Sequence, residues 1–232
     1  MSHVKTTGTT PVRAHSLRRR VVTRTTRGDA LLRGVAHRYP PPTHCAMQDD
    51  TTRVHGPDIN TSFTSARLRI EPLDGRHAPL LFECLCDPAI YEWISLPPPS
   101  DVESLRARWD RVARFPHTGV AVMDFAWAVQ RIDDGAWLGR MDAEVTALGV
   151  ATNVGYVFAS AWWGQGVATE AVTALSEHLR RLGVVRQHAT VTLGNDASCR
   201  VLERAGFVRE RVIPGNDTLR GVLVDDVEYV RR

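Results

Sequence analysis

Residues 153–182 constrain this chain more than any other stretch. They pass from a short apolar alternation, NVGYVF, through WWGQGVA to ATEAVTALSEHLRRL. In the last segment Ala168, Ala171, Val172, Leu175 and Leu179 recur at i, i+3, i+4, i+7 and i+11, one face of an amphipathic helix expected over 167–182. Gly164, Gly166 and Ala168 therefore lie between a strand and a helix start. Backbone N–H groups without intrahelical acceptors and the positive end of the helix dipole meet there, and small residues let an anion come close to them. A tight turn before a helix would ask for the same glycines, so the motif alone leaves both readings open. Two familiar phosphate loops are excluded. No Gly-Lys-Ser/Thr follows, Lys5 being the only lysine, and the position where the dinucleotide fingerprint wants a third small residue holds Thr169.

The flanks set the fold class. ARLRIEPL (66–73) alternates Leu68 and Ile70 against charged neighbours and predicts a strand with one buried face. His77–Cys86 carries apolar residues at helical spacing and is stopped by Asp87-Pro88. LPPPS at 96–100 is a rigid loop, after which Ser100 is the expected N-cap and Glu103 its capping-box partner for a helix through Arg114. Strands are predicted at Phe125–Gln130, Leu138–Leu148 and Asn153–Phe158, the first two joined through Asp133-Asp134-Gly135. After the 167–182 helix come a strand at His188–Leu193, a helix at 196–205 and strands at 207–213 and 223–230. A meander followed by alternating helices and strands predicts an α/β (α+β) fold, a mixed sheet with helices on both faces.

The first 62 residues differ in kind. They lack a sustained period and are rich in Thr, Arg, His and Pro, so they are expected to be disordered apart from a brief helix near Ala30–Val35. Residues 1–60 carry a net charge of +6 and the remainder −3, so the basic balance belongs to the head. An arginine-rich arm attracts phosphate backbones, but a solvated tail is the simpler reading, and nucleic acid is not expected as a partner. No stretch reaches the roughly 18 apolar residues of a spanning helix, nor the apolar core of a secretory leader. A cytoplasmic protein without membrane contact is expected. Cys45, Cys84, Cys86 and Cys199 have neither paired metal-ligand spacing nor disulfide-scaffold density, so thiols and no metal are expected.

The GY strand, the WGQGVATEA junction and NDASCRVLERAGF at 195–207, in that order and spacing, resemble the GNAT N-acetyltransferase family, and within it the RimJ/RimL-like enzymes. The resemblance covers about residues 66–230 and implies a sheet splayed at the cofactor site, in a domain spanning 63–232. It also implies acetyl-CoA as cosubstrate, an amine acceptor (a protein N-terminus or a small molecule), direct transfer, and room for a homodimer. The family holds the cofactor pyrophosphate on backbone amides of an Arg/Gln-x-x-Gly-x-Gly/Ala segment, which matches Trp163, Gly164, Gln165, Gly166, Val167 and Ala168, with Thr169 following. Trp163 departs from the usual Arg/Gln, a side-chain change at a site built from backbone. The splayed strand would pair with the pantetheine arm at Val157, Phe158 and Ala159, and Asn195 would lie beside that arm, although Asn before Asp-Ala-Ser is equally a helix N-cap.

The catalytic groups are less legible. The tyrosine that many relatives use to protonate the departing thiolate aligns with Leu202, which cannot donate. RimJ/RimL-like sequences carry a serine nearby, matching Ser198, which becomes the expected acid or thiol partner, with a first-turn helix serine as the plain alternative. A glutamate frequent in relatives falls on Asn153. Asp142 and Glu144, two apart on a strand and so on one face, are candidates for the base or for binding a cationic acceptor, with Glu210 a third candidate and a solvated strand residue the plain alternative for each. Tyr91 and Trp93 fall where the family shapes its acceptor site, with core packing as the plain alternative for each. The two departures also admit a CoA-binding domain without turnover.

Overall fold

The computed structural model describes residues 59–114 and 122–232. The brief helix expected near Ala30–Val35 and Cys45 lie outside the described residues. Twelve regular elements follow in order: β1 (Phe63–Thr64), β2 (Leu68–Pro72), α1 (Ala78–Leu85), α2 (Val102–Arg114), β3 (Val122–Arg131), β4 (Trp137–Thr146), β5 (Val150–Phe158), α3 (Val167–Arg181), β6 (Arg186–Thr192), α4 (Asp196–Arg204), β7 (Val208–Leu219) and β8 (Val222–Arg231). The strands form one mixed sheet in the order β1-β2-β3-β4-β5-β6-β8-β7.

Strand alternation divides the core into two layers. Leu138, Met141, Ala143 and Val145 of β4 pack with Val172, Leu175 and Leu179 of α3 and with Leu202 of α4. On the opposite face Ala126 and Ala128 of β3 meet Leu81 and Leu85 of α1 and Leu105 and Trp109 of α2. Helices therefore cover both faces, as expected. Trp109 and Trp127 are fully buried core residues, one in each layer. Packing also reaches upstream of the expected domain start at 63. Ile59 is buried, its carbonyl lies 3.2 Å from His178 Nε2, and Trp127 Nε1 donates to the Thr61 carbonyl at 3.2 Å.

Two local expectations are corrected. Asp101, not Ser100, caps α2: its Oδ1 accepts from the Ser104 amide at 2.7 Å, and Ser100 Oγ donates to the same carboxylate. A charged acceptor binds a helix-start amide more strongly than a hydroxyl and also complements the dipole. Strand β7 runs to Leu219 instead of ending at 213, because the hairpin with β8 resumes beyond a register break between Ile213 and Asp217. Pro214, which has no amide to donate, sits in that break. No helix among the described residues is long and apolar enough to cross a membrane.

The feature that builds the site is a parting of the sheet. Strand β5 pairs with β4 along its length, from Ala151 opposite Val145 to Phe158 opposite Gly139. With β6 it pairs in parallel only at Val150 and Ala151. The β4–β5 register shifts between Glu144 and Val145, the level at which β5 and β6 diverge, and such a bulge bends and twists a strand. Beyond that level β6 continues with β8 and leaves one edge of β5 without a strand partner.

Candidate active site

A cleft of about 430 Å³ fills the parting between β5 and β6. Its floor is the start of α3. Gly166 is the residue before the helix, with φ 76° and ψ 3°, and Gly164 has φ 73°; both are left-handed conformations that favour glycine. A Cβ at Gly164 would meet nothing within 4 Å, so backbone conformation, not crowding, demands that glycine. The first intrahelical bond runs from the Glu170 amide to the Gly166 carbonyl at 3.0 Å. By helix geometry the amides of Val167, Ala168 and Thr169 have no acceptor within the helix. Gly164, Gly166, Val167, Ala168 and Thr169 all line the cleft. Small side chains, left-handed glycines and unpaired first-turn amides fit a pyrophosphate.

The sequence does not reveal what fixes this loop. Glu170, in the first turn of α3, accepts from Ser65 Oγ at 2.6 Å, from the Arg67 amide at 2.8 Å and from Arg67 Nε at 2.6 Å. The same arginine reaches the Gln165 carbonyl from both terminal nitrogens, at 3.3 and 3.4 Å. These partners are about a hundred residues apart in the chain, so no local pattern signals them. Burial alone would raise the Glu170 pKa, but the hydrogen bonds from Ser65 and Arg67 outweigh it and hold the carboxyl below its ordinary value. A depressed carboxylate stabilises the fold above its unfolded pKa, and that contribution fades as pH falls through the folded pKa. Glu170→Gln is therefore expected to remove part of the acid sensitivity below about pH 4.5. Thermal melts of both proteins across pH 3 to 7 would show it, and parallel curves would contradict it.

Trp163 is half exposed, and its Nε1 donates to the Phe158 carbonyl at 2.9 Å. It thereby ties the loop to the end of β5. Gln165 braces the same loop through its side-chain amide to the Ala161 carbonyl at 2.8 Å. The Ala159 amide donates to the Leu138 carbonyl at 2.9 Å, towards β4. By strand alternation Val157 presents its backbone to β4 as well, while Tyr156 presents its backbone to the cleft and Phe158 its amide, the Phe158 carbonyl being held by Trp163. Asn195 caps α4, its Oδ1 accepting from the Ser198 amide at 3.2 Å, and it lines the cleft at the same time.

Ser198, half-buried, also lines the cleft. Beside it stands a hydroxyl the sequence reading missed: Tyr156 OH donates to the Ser198 carbonyl at 3.3 Å, and burial pushes its pKa up to about 12. Leu202 is buried in the core. Asp142 forms part of the cleft wall and pairs with Arg140. Burial raises its carboxyl pKa, an effect Arg140 only partly offsets. Glu144, half-buried, stands opposite Asp124 and Asn153 and outside the cleft lining. Glu210 pairs with Arg186 and Arg232 on the far side of the sheet order. A carboxylate not foreseen, Asp217 of β7, lines the cleft and accepts from the Thr218 amide at 2.7 Å.

The rim is a short helical turn and loop, residues 88–96. Ser160 donates to Asp87 at one end, and Arg220 donates to the Glu92 carbonyl at 3.2 Å further along. Trp93 lines the cleft and packs against Gly194, whereas Tyr91 turns away and donates to the Leu85 carbonyl at 2.7 Å. Cys199 is a free thiol, and no histidine among the described residues lines the cleft to activate it. No group of three metal-ligating side chains occurs among the described residues.

The acetyltransferase (GNAT) domain profile matches residues 67–208, more than half of the chain. No curated protein sequence matches significantly. Among solved structures, an acetyltransferase from T. thermophilus is 27% identical, with a TM-score of 0.60, covering 73% of this chain and 88% of its own. The ribosomal-protein-S5-alanine acetyltransferase of Vibrio fischeri is 18% identical, with a TM-score of 0.62 and coverages of 74% and 96%. RimL, a ribosomal L7/L12 α-N-protein acetyltransferase in complex with coenzyme A, is 21% identical, with a TM-score of 0.63 and coverages of 72% and 94%. With the profile matched over most of the described chain and the fold shared with solved acetyltransferases, the chain belongs to the GNAT acetyltransferase family.

Proposed function

We propose that this acetyltransferase moves the acetyl group of acetyl-CoA to a primary amine, by direct attack of the amine on the thioester. The observation that carries the reading is the helix start exposed where β5 and β6 part: the amides of residues 164–169 suit the pyrophosphate, and the free edge of β5 at Tyr156 and the Phe158 amide suits the pantetheine arm. Acetyl-CoA supplies the activated acyl group, and the chain supplies alignment and proton transfer. Trp93 and the 88–96 rim face the side from which an acceptor enters.

Ser198 Oγ is the proton donor or hydrogen-bond partner for the departing thiolate. Tyr156, kept protonated by its raised pKa, anchors the first turn of α4 and so fixes that hydroxyl. Of the carboxylates, Asp217 is the better base than Asp142 or Glu144. Asp142 is committed to Arg140 and Glu144 lies outside the cleft, whereas Asp217 faces it. Ser198→Ala and Asp217→Asn are each expected to lower kcat by about 100-fold while acetyl-CoA affinity stays close to that of the parent. Steady-state rates set beside calorimetric binding separate the two effects, and an unchanged kcat removes the residue from the mechanism.

The test of the function itself is thiol release from acetyl-CoA against a panel of small amines and N-terminal peptides. Turnover on at least one acceptor class supports the transferase reading. Tight cofactor binding with no turnover on any acceptor would favour a CoA-binding domain without catalysis, the alternative that the buried Leu202 keeps in view.

A further inference from the structure

A small side pocket of about 40 Å³ adjoins the cleft. Ile94, Leu96, Arg140 and Val157 line both, so the two share a wall and an acceptor in the cleft has a route towards it. Most of the remaining lining is apolar, including Leu105, Trp109 and the prolines of the 96–100 loop. Within it stand two guanidinium groups, Arg108 from α2 and Arg140 from β4. Arg140 has Asp142 as its ion-pair partner. Arg108, half-buried, makes no hydrogen bond or ion pair among the described residues, and no carboxylate lines the side pocket. Tyr91 offers little compensation, since burial raises its pKa and the hydroxyl stays a neutral phenol that carries no charge. Burial, followed by the like charge of Arg140, depresses the Arg108 pKa.

Two guanidinium groups in a largely apolar recess, only one of them paired with a carboxylate, are electrostatically incomplete. Removing a guanidinium from water is unfavourable unless an anion replaces the lost hydration. The volume suits a planar carboxylate on a short stem, and such a group meets a guanidinium through two parallel hydrogen bonds.

We propose that the side pocket receives a carboxylate of the acceptor, with Arg108 as its ion-pair partner and Arg140 as the second cation, so that the preferred substrate is an amine whose skeleton also carries an acid, such as an acidic peptide N-terminus. This rests on the transferase reading above and narrows its acceptor class.

The experiment compares free-amine peptides bearing aspartate or glutamate at the second or third position with otherwise identical asparagine or glutamine peptides. The acidic member of each pair is expected to have the higher kcat/KM, by about 10- to 100-fold, mostly through KM. Arg108→Gln is expected to collapse that ratio towards one, and Arg108→Lys to restore part of it. Equal rates within the pairs, or a ratio untouched by Arg108→Gln, would overturn the proposal. Acetyl-CoA affinity of each variant, measured by calorimetry, establishes that it has folded. If no peptide is acetylated although acetyl-CoA binds, the transferase reading itself fails only when the small amines are not acetylated either, and calorimetric binding of the same peptides to the CoA-bound protein decides the pocket. An Arg108-dependent preference for the acidic peptide then supports it, and equal binding or none overturns it.

Discussion

Gly166→Glu is expected to abolish measurable acetyl-CoA binding, a loss of at least about 100-fold. Three effects act together. Gly166 has φ 76°, and a side chain there costs about 1–2 kcal/mol for the left-handed backbone alone. A carboxylate would then sit at the positive end of α3, beside the amides that suit the pyrophosphate, and repel that anion. Finally, the new Cβ would lie 3.6 Å from an Arg67 terminal nitrogen, so the glutamate competes with Glu170 for the arginine that braces the loop. Gly166→Ala carries the backbone cost without the charge and serves as the control. Calorimetry should show a moderate loss for alanine and none of the parent's binding for glutamate. Retained affinity in Gly166→Glu would remove the helix start from the cofactor site.

Asp142→Ala is expected to destabilise the fold by about 3–5 kcal/mol, the usual consequence of stripping one partner from a buried ion pair. At roughly 2–4 °C per kcal/mol for a chain of this size, the melting temperature should fall by about 10 °C. Asp142 is 8% exposed and the Arg140 side chain 14% exposed, so the stranded guanidinium would have little water to replace its partner. With Arg108 nearby, the variant would leave two uncompensated cations facing the side pocket. Asp142→Asn retains a hydrogen-bond acceptor and should cost less. An unchanged melting temperature accompanied by a large fall in kcat would overturn this assignment and return the role of base to Asp142.

Much of the architecture is legible in the sequence, for reasons that differ by element. Helix α3 is written in the spacing of Val172, Leu175 and Leu179 and appears within a residue of its expected end. The β3–β4 hairpin is written in alternation around Asp133-Asp134-Gly135. The end of β7 is not, because Pro214 and Gly215 read as a stop while the partner strand β8 carries the hairpin past them. Asp101 displaced Ser100 as the α2 cap because a carboxylate one residue closer to the first turn is the stronger acceptor.

Local pattern is enough to read the order of strands and helices, the glycine-fronted start of α3 and the positions of Asn195 and Ser198 at the start of α4. Each depends on periodicity or backbone chemistry within a few neighbouring residues. Tertiary structure alone decided where β5 leaves β6, how Ser65 and Arg67 hold Glu170, which carboxylates reach the cleft, and that Arg108 comes beside Arg140 with no anionic partner of its own among the described residues. Those relations join residues tens to a hundred positions apart, where side-chain packing and the bend of one strand, not local pattern, set what meets what.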